Sequence, residues 1–345
     1  MFCESNSNNC TSQPSRSGVL DDLPNFLLKI IAPFFYPLAP FTRVFWLHLI
    51  GALFLAYLVY RIARKKQQTT DAKPHSSISR FFRFCFPKDV YGHASAVVDY
   101  KFYIVNRIAH AFIFAPLFLG APLVAGWVVS LIEVPVATTE TPGLFAVGIL
   151  TITAVIAFDL GIFIAHFLQH KIPLLWEFHK VHHSAQVLTP ITVYRMHPVD
   201  ELLTGISTAL TVGTTTGVIT SFMGAPVEPW QFFQVNAVLF LYYFAGYNLR
   251  HTHIWLNYPR AMLRVLISPA QHQIHHSRDA VHFDKNLGFM FSFWDRIAGT
   301  LYIPETKEEL TFGLSDDEDR AFDGVLALYF RPFAKAAALL RRISK

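Results

Sequence analysis

The sequence predicts an all-α integral membrane protein with about four to five membrane-embedded helices. Of the 345 residues, 52% are hydrophobic and only 15% are charged, whereas about 25% of the residues in a soluble domain carry a charge. Several apolar segments are long enough to cross a bilayer. Twelve of the 16 histidines fall between residues 166 and 282, and this clustering is unusual because histidine is costly in or near hydrocarbon.

The candidate spans are apolar segments that approach the roughly 20 residues of a transmembrane helix. They are residues 44–62, 108–131, 144–165, 202–223 and 230–249. We expect Pro116 and Pro122 to kink the second segment, because proline interrupts helical hydrogen bonding. The short link "GAPVEP" between the last two segments predicts a helical hairpin.

The charges of the loops predict the orientation of these spans. Residues 61–107 contain ten lysines and arginines but only three acidic residues, and the link 133–143 contains no basic residue. By the positive-inside rule, the first of these loops is cytoplasmic and the second lies on the opposite side. The histidine-rich segments at 166–197 and 251–282 then share the cytoplasmic face, which supports a single site.

The remaining composition excludes several classes of protein. The net charge of +5 is modest and no nucleic-acid-binding motif is present, so we expect a membrane surface rather than a nucleic acid beside the basic residues. Cys3, Cys10 and Cys85 include no CxxC pair. Neither a disulfide framework nor a thiolate metal site is therefore indicated.

We expect four regions along the chain. The Ser/Asn-rich residues 1–22 are typical of a disordered tail. Residues 23–143 form an N-terminal membrane region with an interfacial segment, two spans and a basic cytosolic loop. Residues 144–305 carry the histidine motifs, and residues 306–345 form a cytosolic tail whose basic amphipathic end suits an anionic membrane surface.

Three histidine motifs occur between residues 166 and 276. On a helix, "HFLQH" places two imidazoles four positions apart on one face, while "HKVHH" and "HQIHH" each place three at i, i+3 and i+4. These histidines are His166, His170, His179, His182, His183, His272, His275 and His276. Neutral imidazole binds iron, zinc or copper. Because eight ligands exceed the four of one tetrahedral zinc, the motifs suit two metal ions.

Further polar residues complete the predicted site. His197 in "YRMHPVDE" and His251 in "LRHTHIW" are expected as additional metal ligands. Carboxylates near metal-bound histidines commonly orient the imidazoles, and Asp159 is an ionisable residue inside a span, which suggests a functional role. The residues expected to contact the imidazoles or a substrate are Asp159, Asp200, His253, His282, Asp284 and Asn286.

Two metals held by nitrogen beside hydrocarbon favour oxygen chemistry on an unactivated C–H bond. Hydrolysis needs neither so many histidines nor a membrane setting. Two alternatives stay open. One is a membrane metal-binding or transport protein, which would spread polar residues through the spans instead of gathering them at one face. The other is a lipid-binding protein without catalytic activity.

The motifs resemble those of the fatty acid hydroxylase / sterol desaturase superfamily of integral-membrane di-iron oxygenases. The similarity covers about residues 150–305 and includes "FDLGIFIAHFLQHKIPLLWEFHKVHHS", "YRMHPVDEL" and "ISPAQHQIHHSRDAVHFDKNLGFMFSFWDRIAGTLYIP". This resemblance implies a helical membrane fold with a cytosolic helical cap that holds a histidine-rich dimetal site. It maps the metal ligands onto the eight motif histidines and, in addition, onto His197 and His251.

The same resemblance implies cofactors and partners. The implied cofactor is a pair of iron ions, which zinc can replace in a purified sample, with O2 as co-substrate. A separate cytochrome b5 or ferredoxin with an NAD(P)H reductase would supply electrons. The implied reaction is hydroxylation or desaturation of a sterol, fatty acyl chain or related lipid, and the sequence leaves both outcomes open. We expect the bacterial inner membrane, or the endoplasmic reticulum of a eukaryote, with the metal site on the cytoplasmic face.

Overall fold

The computed structural model describes residues 25–67, 77–111, 120–132 and 143–343. The predicted N-terminal tail and most of the link 133–143 lie outside these residues. The α-helices of the described chain are α1 (Asn25–Phe35), α2 (Trp46–Gln67), α3 (Ser77–Cys85), α4 (Lys88–Tyr91), α5 (Ala94–Ala109), α6 (Ala121–Leu131), α7 (Leu144–Lys171), α8 (Pro173–His183), α9 (Pro198–Met223), α10 (Ala237–Phe244), α11 (Pro269–His275), α12 (Phe293–Ala298), α13 (Asp316–Asp319) and α14 (Val325–Ile343). Two short strands, β1 (Gln231–Phe232) and β2 (Val235–Asn236), pair antiparallel.

Three of the described helices, α2, α7 and α9, are long and apolar enough to cross a membrane. The longest, α7, has 28 residues, and at 1.5 Å per residue it extends about 42 Å. This length exceeds the roughly 30 Å hydrocarbon core of a bilayer. The C-terminal end of α7, with His166 and His170, can therefore project beyond the hydrocarbon while the rest of the helix spans it. The prediction of a mainly helical protein with membrane-spanning helices is confirmed to the extent of three candidate spans among the described residues.

Residues 230–249, one of the candidate spans, do not form one continuous helix. The stretch begins with the β1–β2 hairpin, in which Phe233 and Gln234 have positive φ, and it continues as α10, which has only eight residues. Gly246, with a φ of 94°, follows directly and changes the direction of the chain. The apolar side chains of α10 pack mainly against α2 and α7. Three aromatic residues of α10 are buried, whereas the aromatic residues of the hairpin before it are about half exposed. α9 packs on α6 and α7 instead of forming the predicted hairpin.

The predicted second span, residues 108–131, is interrupted. α5 ends at Ala109, and α6 begins at Ala121 after an extended Gly120. Pro122 lies in the first turn of α6, where proline fits a helix without a kink. Residues 112–119, which include Pro116, lie outside the described residues. With 11 residues, α6 reaches about 16 Å, roughly half the thickness of the hydrocarbon core.

Small residues let α9 approach its neighbours closely. Gly213 and Gly217 lie four positions apart and face α6. A Cβ atom added at these glycines would lie 2.5 Å from the Cβ of Val124 and 2.7 Å from the Cβ of Val128. Small residues permit such close backbone packing between membrane helices. The glycines lower the mean hydropathy of this segment, and they also allow α9 to pack closely against α6.

The histidine-rich part of the chain forms around the C-terminal end of α7. The chain turns at Ile172, α8 begins at Pro173, and α14 packs along α8. Phe178 of α8 contacts Phe333 of α14, with ring centroids 5.2 Å apart. The basic amphipathic end of the chain thus belongs to a helix that covers α8.

Arg195 joins several segments inside this region. Its guanidinium donates to the Val181 carbonyl (3.0 Å), Ser184 Oγ (2.8 Å), Asp99 Oδ1 (2.8 Å) and the Phe322 carbonyl (3.1 Å). Arg195 is 2% exposed and Asp99 is 1% exposed. Buried charges of this kind are stable only when they are paired and hydrogen-bonded. The ion pair therefore holds α5, the end of α8 and the segment before α14 together.

We expect Arg195→Met to destabilise the fold strongly, because it leaves the Asp99 carboxylate buried without its charged partner. Breaking a buried ion pair in this way lowers the free energy of unfolding by about 3–5 kcal/mol. A lower midpoint of thermal unfolding in detergent measures the loss. Arg264→Met, at an exposed arginine, is the matched control. Equal midpoints for the two variants would contradict the role assigned to Arg195.

Candidate metal centre

The structure brings nine histidines together at the C-terminal end of α7, in two adjacent groups. The first group contains His166, His170, His179, His183 and His275, and the second contains His182, His251, His272 and His276. Within each group, one ring nitrogen of every histidine lies within 4.8 Å of the others. The groups meet where the rings of His183 and His276 stack, with centroids 4.7 Å apart.

Each histidine triplet contributes to both groups. The histidines at i and i+4 of a triplet belong to one group, and the histidine at i+3 belongs to the other. The crossing residues are His182 from α8 and His275 from α11. The sequence analysis expected each triplet to act as one face. The structure shows that each triplet divides between the groups. Around a helix, the residue at i+4 points within about 40° of the residue at i, whereas the residue at i+3 points about 100° away from the residue at i+4.

The ends of three helices surround the two groups. α7, α8 and α11 all carry their histidines in or beside the last turn. The last carbonyl groups of a helix have no partner within the helix and give this end a partial negative charge. Three such ends favour the binding of cations between them. His251 approaches from the non-helical turn that follows Tyr247–Leu249.

A short loop, Asp284–Gly288, orients three histidines of the first group. The Nδ1 atom of each of these histidines contacts one oxygen atom of the loop. His275 Nδ1 lies 2.9 Å from the Lys285 carbonyl oxygen, and His166 Nδ1 lies 2.6 Å from the Leu287 carbonyl oxygen. His170 Nδ1 lies 3.2 Å from Asp284 Oδ1. Asp284 and Asn286 have positive φ, a conformation that aspartate and asparagine adopt more readily than most residues. This backbone path brings alternate carbonyls, at 285 and 287, to the histidines.

Buried polar side chains hold this loop in place. Asn286 Nδ2 donates to the Gln271 carbonyl at 3.1 Å, and its Oδ1 accepts from the Tyr302 N–H at 2.8 Å. Asp295 accepts from two N–H groups of the loop, at 2.7 and 2.8 Å. Asn286 was expected to contact the imidazoles or a substrate, and the structure shows that it fixes the backbone beside them.

Asp200 orients a fourth histidine. Its Oδ2 accepts from His179 Nδ1 at 2.8 Å, and its Oδ1 accepts from Gln169 Nε2 at 2.6 Å. Asp200 is fully buried. A carboxylate on the far nitrogen fixes the tautomer of an imidazole and leaves Nε2 free, as in many metal-bound histidines.

The free nitrogen atoms of the first group fit a metal ion. A neutral imidazole that donates through Nδ1 has a lone pair on Nε2. The Nε2 atoms of His170, His179, His183 and His275 are buried and have no hydrogen-bond partner. Buried polar atoms without partners cost free energy, and a bound cation removes that cost. A donor set made of imidazole nitrogens suits iron, zinc or copper.

The Nε2 atoms of the second group also converge. His251 Nε2 lies 3.0 Å from that of His272, 3.1 Å from that of His276 and 3.3 Å from that of His182. Around one ion with metal–nitrogen bonds of about 2.1 Å, neighbouring ligand atoms are about 3.0–3.4 Å apart. The separations match this spacing, so the second group fits one ion.

One contact in the second group restricts how it binds a metal. Arg250 Nη2 lies 2.7 Å from His272 Nδ1. A guanidinium only donates, so His272 accepts at Nδ1, and a neutral ring then keeps its hydrogen on Nε2. His272 binds a metal through Nε2 only as an imidazolate or after Arg250 withdraws. The Nδ1 atoms of His182 and His276 have no hydrogen-bond partner, so this conflict does not arise there.

Burial keeps these imidazoles neutral. It lowers the pKa of His182 to about 3 and holds the pKa values of His183, His251 and His275 well below their usual range. Neighbouring imidazoles lower the pKa values further. Neutral imidazole is the form that binds metals, so the groups can bind ions at physiological pH.

His197 lies outside both groups. Its Nδ1 accepts from the Val199 N–H at 3.1 Å and caps α9, while its Nε2 donates to the Tyr329 carbonyl at 3.0 Å. Both ring nitrogens are engaged by the backbone. The structure therefore assigns His197 to capping α9 and to its contact with α14, in place of the metal binding expected from the sequence.

Two other histidines that were expected near the site also lie elsewhere. His253 Nε2 donates to the Phe84 carbonyl at 2.7 Å, which ties its turn to α3. His282 Nε2 lies 2.9 Å from Glu308 Oε2. Neither belongs to the two groups of histidines that could hold a metal.

Asp159, inside α7, acts at a distance from the histidines. Its carboxylate accepts from the N–H groups of Met290 (2.6 Å) and Phe291 (3.1 Å) and from Trp294 Nε1 (2.8 Å). These bonds attach the segment after the Asp284–Gly288 loop to the middle of α7. Asp159 thus supports the site through the backbone and contacts no imidazole of the two groups.

Two cavities reach the histidines from different sides. One, of about 70 Å³, lies toward α7 and α9 and is lined in part by His166, His179, His182, His251, His272 and Arg43. The other, of about 450 Å³, lies beyond the end of α7 and is lined in part by His170, His183, His275 and Trp176. The two groups are thus accessible both from the side of the spans and from the opposite side.

Sequence reasoning missed the groups that orient the histidines. The roles of the Lys285 and Leu287 carbonyls cannot be predicted from residue type, because every residue has a backbone carbonyl. Arg250 and Gln169 were missed because no spacing connects them to the motifs. The one available signal was "DKNLG", whose aspartate and asparagine favour left-handed backbone.

We expect the purified protein, after incubation with excess zinc, to hold about two ions per chain, since each group fits one. His182→Ala combined with His276→Ala removes half of the second group and leaves the first group intact, so the content should fall to about one ion. Inductively coupled plasma mass spectrometry measures the ratio. His253→Ala is the control and should keep both ions. An unchanged content in the double variant would contradict the second site.

Asp200→Asn should weaken metal binding by the first group by about 10- to 100-fold. The amide keeps one acceptor oxygen but presents its NH2 group to either His179 or Gln169, and both of these donate. One of the two hydrogen bonds is therefore lost. Competition with a chelator of known zinc affinity measures the change, and Asp323→Asn, at an exposed carboxylate, is the control. Equal affinities in the two variants would exclude an orienting role for Asp200.

Comparison with known proteins adds independent information on this site. Residues 151–300 match the family model described as Fatty acid hydroxylase. The chain is 28% identical to ornithine lipid hydroxylase OlsE of Rhizobium tropici, over 51% of this chain and 48% of that protein. It is 29% identical to cholesterol 25-hydroxylase of Homo sapiens, over 42% of this chain and 48% of that protein. It is 26% identical to alkylglycerol monooxygenase of Danio rerio, over 47% of this chain and 32% of that protein.

The chain therefore spans about half the length of these relatives, or less. No solved structure matches it. All nine clustered histidines fall within the matched range, residues 151–300, which also contains the loop and the carboxylate that orient them. The part of the chain that holds the candidate metal centre is thus the part that is similar to the fatty acid hydroxylase family.

Proposed function

We propose that the protein is a membrane di-iron oxygenase that hydroxylates an unactivated C–H position of a lipid. The observation that carries this proposal is the convergence of nine histidines into two groups of metal-ligand size, at the end of a helix able to span a membrane. The family supports it, because the relatives are named as hydroxylases or as a monooxygenase.

The balanced reaction converts a lipid R–H, O2, two electrons and two protons into R–OH and water. Iron, when bound, supplies the redox chemistry that reduction of dioxygen requires. Zinc has no redox chemistry, so zinc in the same ligands of a purified sample would not support turnover.

The chain itself positions and shields the reacting groups. Hydrogen bonds that Nδ1 donates to Asp200 and to the Asp284–Gly288 loop fix the direction of the Nε2 atoms before any ion binds. Such preorganisation avoids rearrangement during the reaction. Burial of the histidines keeps bulk water away, which limits side reactions. The cavity toward α7 and α9 would hold the reacting carbon of the lipid against His166, His182 and His251.

The relatives favour hydroxylation over desaturation. Each of those compared above is named for insertion of oxygen, and their named substrates range from an ornithine lipid to cholesterol. Because both outcomes need the same metal ligands, the geometry of the histidines does not separate them. We propose hydroxylation on the strength of the family.

We propose that electrons arrive on the side away from the spans. Trp176 lines the 450 Å³ cavity there, with its ring centroid 5.1 Å from that of His170 and 5.3 Å from that of His183. A separate cytochrome b5 or ferredoxin, reduced by an NAD(P)H reductase, would dock at this side. The basic segment 61–107 supports a cytoplasmic location for it, in a bacterial inner membrane or the endoplasmic reticulum.

A metal transporter is the less favoured alternative. It would need ligands along a path through the spans, whereas the nine histidines gather at one end of α7. A lipid-binding protein without activity would have no need of nine converging histidines, four of which are oriented by acceptors at Nδ1.

Lipid analysis tests the proposed activity. Cells that express the protein should contain a lipid whose mass is increased by one oxygen atom, and His275→Ala and His183→Ala should each reduce this product below detection, because each removes a proposed ligand. His253→Ala, outside both groups, should retain it. Full activity in His275→Ala would contradict the proposal, and a product lighter by two hydrogen atoms would indicate desaturation instead.

A further inference from the structure

We propose that Arg43 binds the anionic head group of the lipid substrate, either a carboxylate or a phosphate. The identification of the ligand as the substrate rests on the proposed function. The evidence for an anion site is separate and consists of the cavities and charges around Arg43, which lies outside the matched range 151–300.

Arg43 stands where two cavities meet. The cavity of about 70 Å³ beside the histidines and a second cavity of about 350 Å³ share Arg43, Ile162, Val193, Met196 and Thr204 in their linings. The larger cavity lies between the segment after α1 and helices α5, α7 and α9. A molecule in the larger cavity therefore reaches the histidines past Arg43.

Arg43 has aromatic and phenolic neighbours, and it forms a hydrogen bond with Tyr243. Its guanidinium carbon lies 5.8 Å from the ring centroid of Tyr247 and 5.9 Å from that of Phe289. None of the ion pairs in the described part of the chain involves Arg43. The acidic residue that lines the larger cavity, Glu201, is already paired with Arg107. Asp200, which lines the smaller cavity, already accepts hydrogen bonds from two other side chains. Arg43 therefore has no ion-pair partner among the carboxylates that line the two cavities.

The chemistry of this charge selects the ligand. Guanidinium is always protonated, and its planar fork matches the paired oxygens of a carboxylate or phosphate. An enclosed charge without a partner is unfavourable, so an anion supplied by the ligand gains affinity there. A neutral lipid such as a sterol would leave Arg43 unpaired.

The size of the smaller cavity limits which carbon reacts. Its volume of about 70 Å³ is small beside the roughly 350 Å³ of the larger cavity. Only a short piece of a lipid fits beside the histidines while its anionic group contacts Arg43. The oxidised carbon therefore lies near the head group and far from the end of the chain.

Binding of matched lipids tests this proposal without any need for turnover. Palmitate, palmitoyl lysophosphatidate and hexadecanol share a long chain and differ in head group. Each competes with a fluorescent lipid for the purified full-length protein in detergent. We expect the wild type to bind one of the two anions at least ten-fold more tightly than hexadecanol, and the tighter one identifies the head group as carboxylate or phosphate. Equal affinity for all three lipids overturns the proposal.

Variants of Arg43 connect the preference to this residue. Arg43→Gln should abolish the preference for the anion without weakening hexadecanol binding, and Arg43→Lys should retain part of it, because lysine lacks the planar fork. Arg264→Gln, at an exposed arginine, should match the wild type. An undiminished preference in Arg43→Gln overturns the proposal. If Arg43→Gln does not fold, Arg43→Lys decides the test. A weaker preference for the anion in Arg43→Lys than in the wild type supports the proposal, and an unchanged preference overturns it.

The two proposals fail in different ways. A protein that prefers the anion but yields no oxygenated lipid contradicts the proposed function alone. A protein that oxygenates lipids but binds hexadecanol and both anions equally contradicts the role of Arg43 alone.

Discussion

The direction of the imidazole lone pairs is the constraint on which the rest of this structure depends. A neutral imidazole offers Nε2 to a metal only if Nδ1 carries the hydrogen, and an acceptor at Nδ1 fixes that tautomer. Asp200, Asp284 and two carbonyls supply four of these acceptors. The acceptors in turn need fixed positions, which Asn286 and Asp295 provide for the loop. The site is thus supported by a network of hydrogen bonds that extends outward from the metal-binding nitrogen atoms.

The spans enter the same network. Asp159 holds the segment after the loop against the middle of α7, and Asp200 sits in the first turn of α9. α7 therefore carries His166 and His170 near its end. Two turns before His166 it carries Asp159, which anchors the segment that follows the Asp284–Gly288 loop. The close packing of α9 against α6 and α7 sets the position of Asp200 relative to His179. Metal binding and membrane packing depend on the same helices.

The sequence predicted the histidine motifs well, because periodicity along a helix is a local property. Eight of the nine clustered histidines follow from the spacing of three motifs, and His251 was added as a single candidate. His197 was expected as a ligand because "YRMHP" resembles a ligand motif. The structure places it outside the two groups, at a helix start before a proline, where its Nδ1 caps the backbone. The division of each triplet between two groups depends on how α8 and α11 dock, which no local pattern records. The spans show the same limit. Hydropathy does not distinguish α10, which the protein buries, from a lipid-facing helix, and it undervalues α9, whose glycines serve packing.

The crossing histidines, His182 and His275, have a consequence for metal loading. Under the proposed two-metal assignment, neither site is complete until α8 and α11 are docked, because each helix supplies one ligand to the group dominated by the other. The ion that binds first therefore bears the free-energy cost of ordering both helices, and the second ion meets ligands already in place. The two ions should bind cooperatively. Half-loaded molecules would then be rare, and a protein short of metal would be a mixture of empty and full chains.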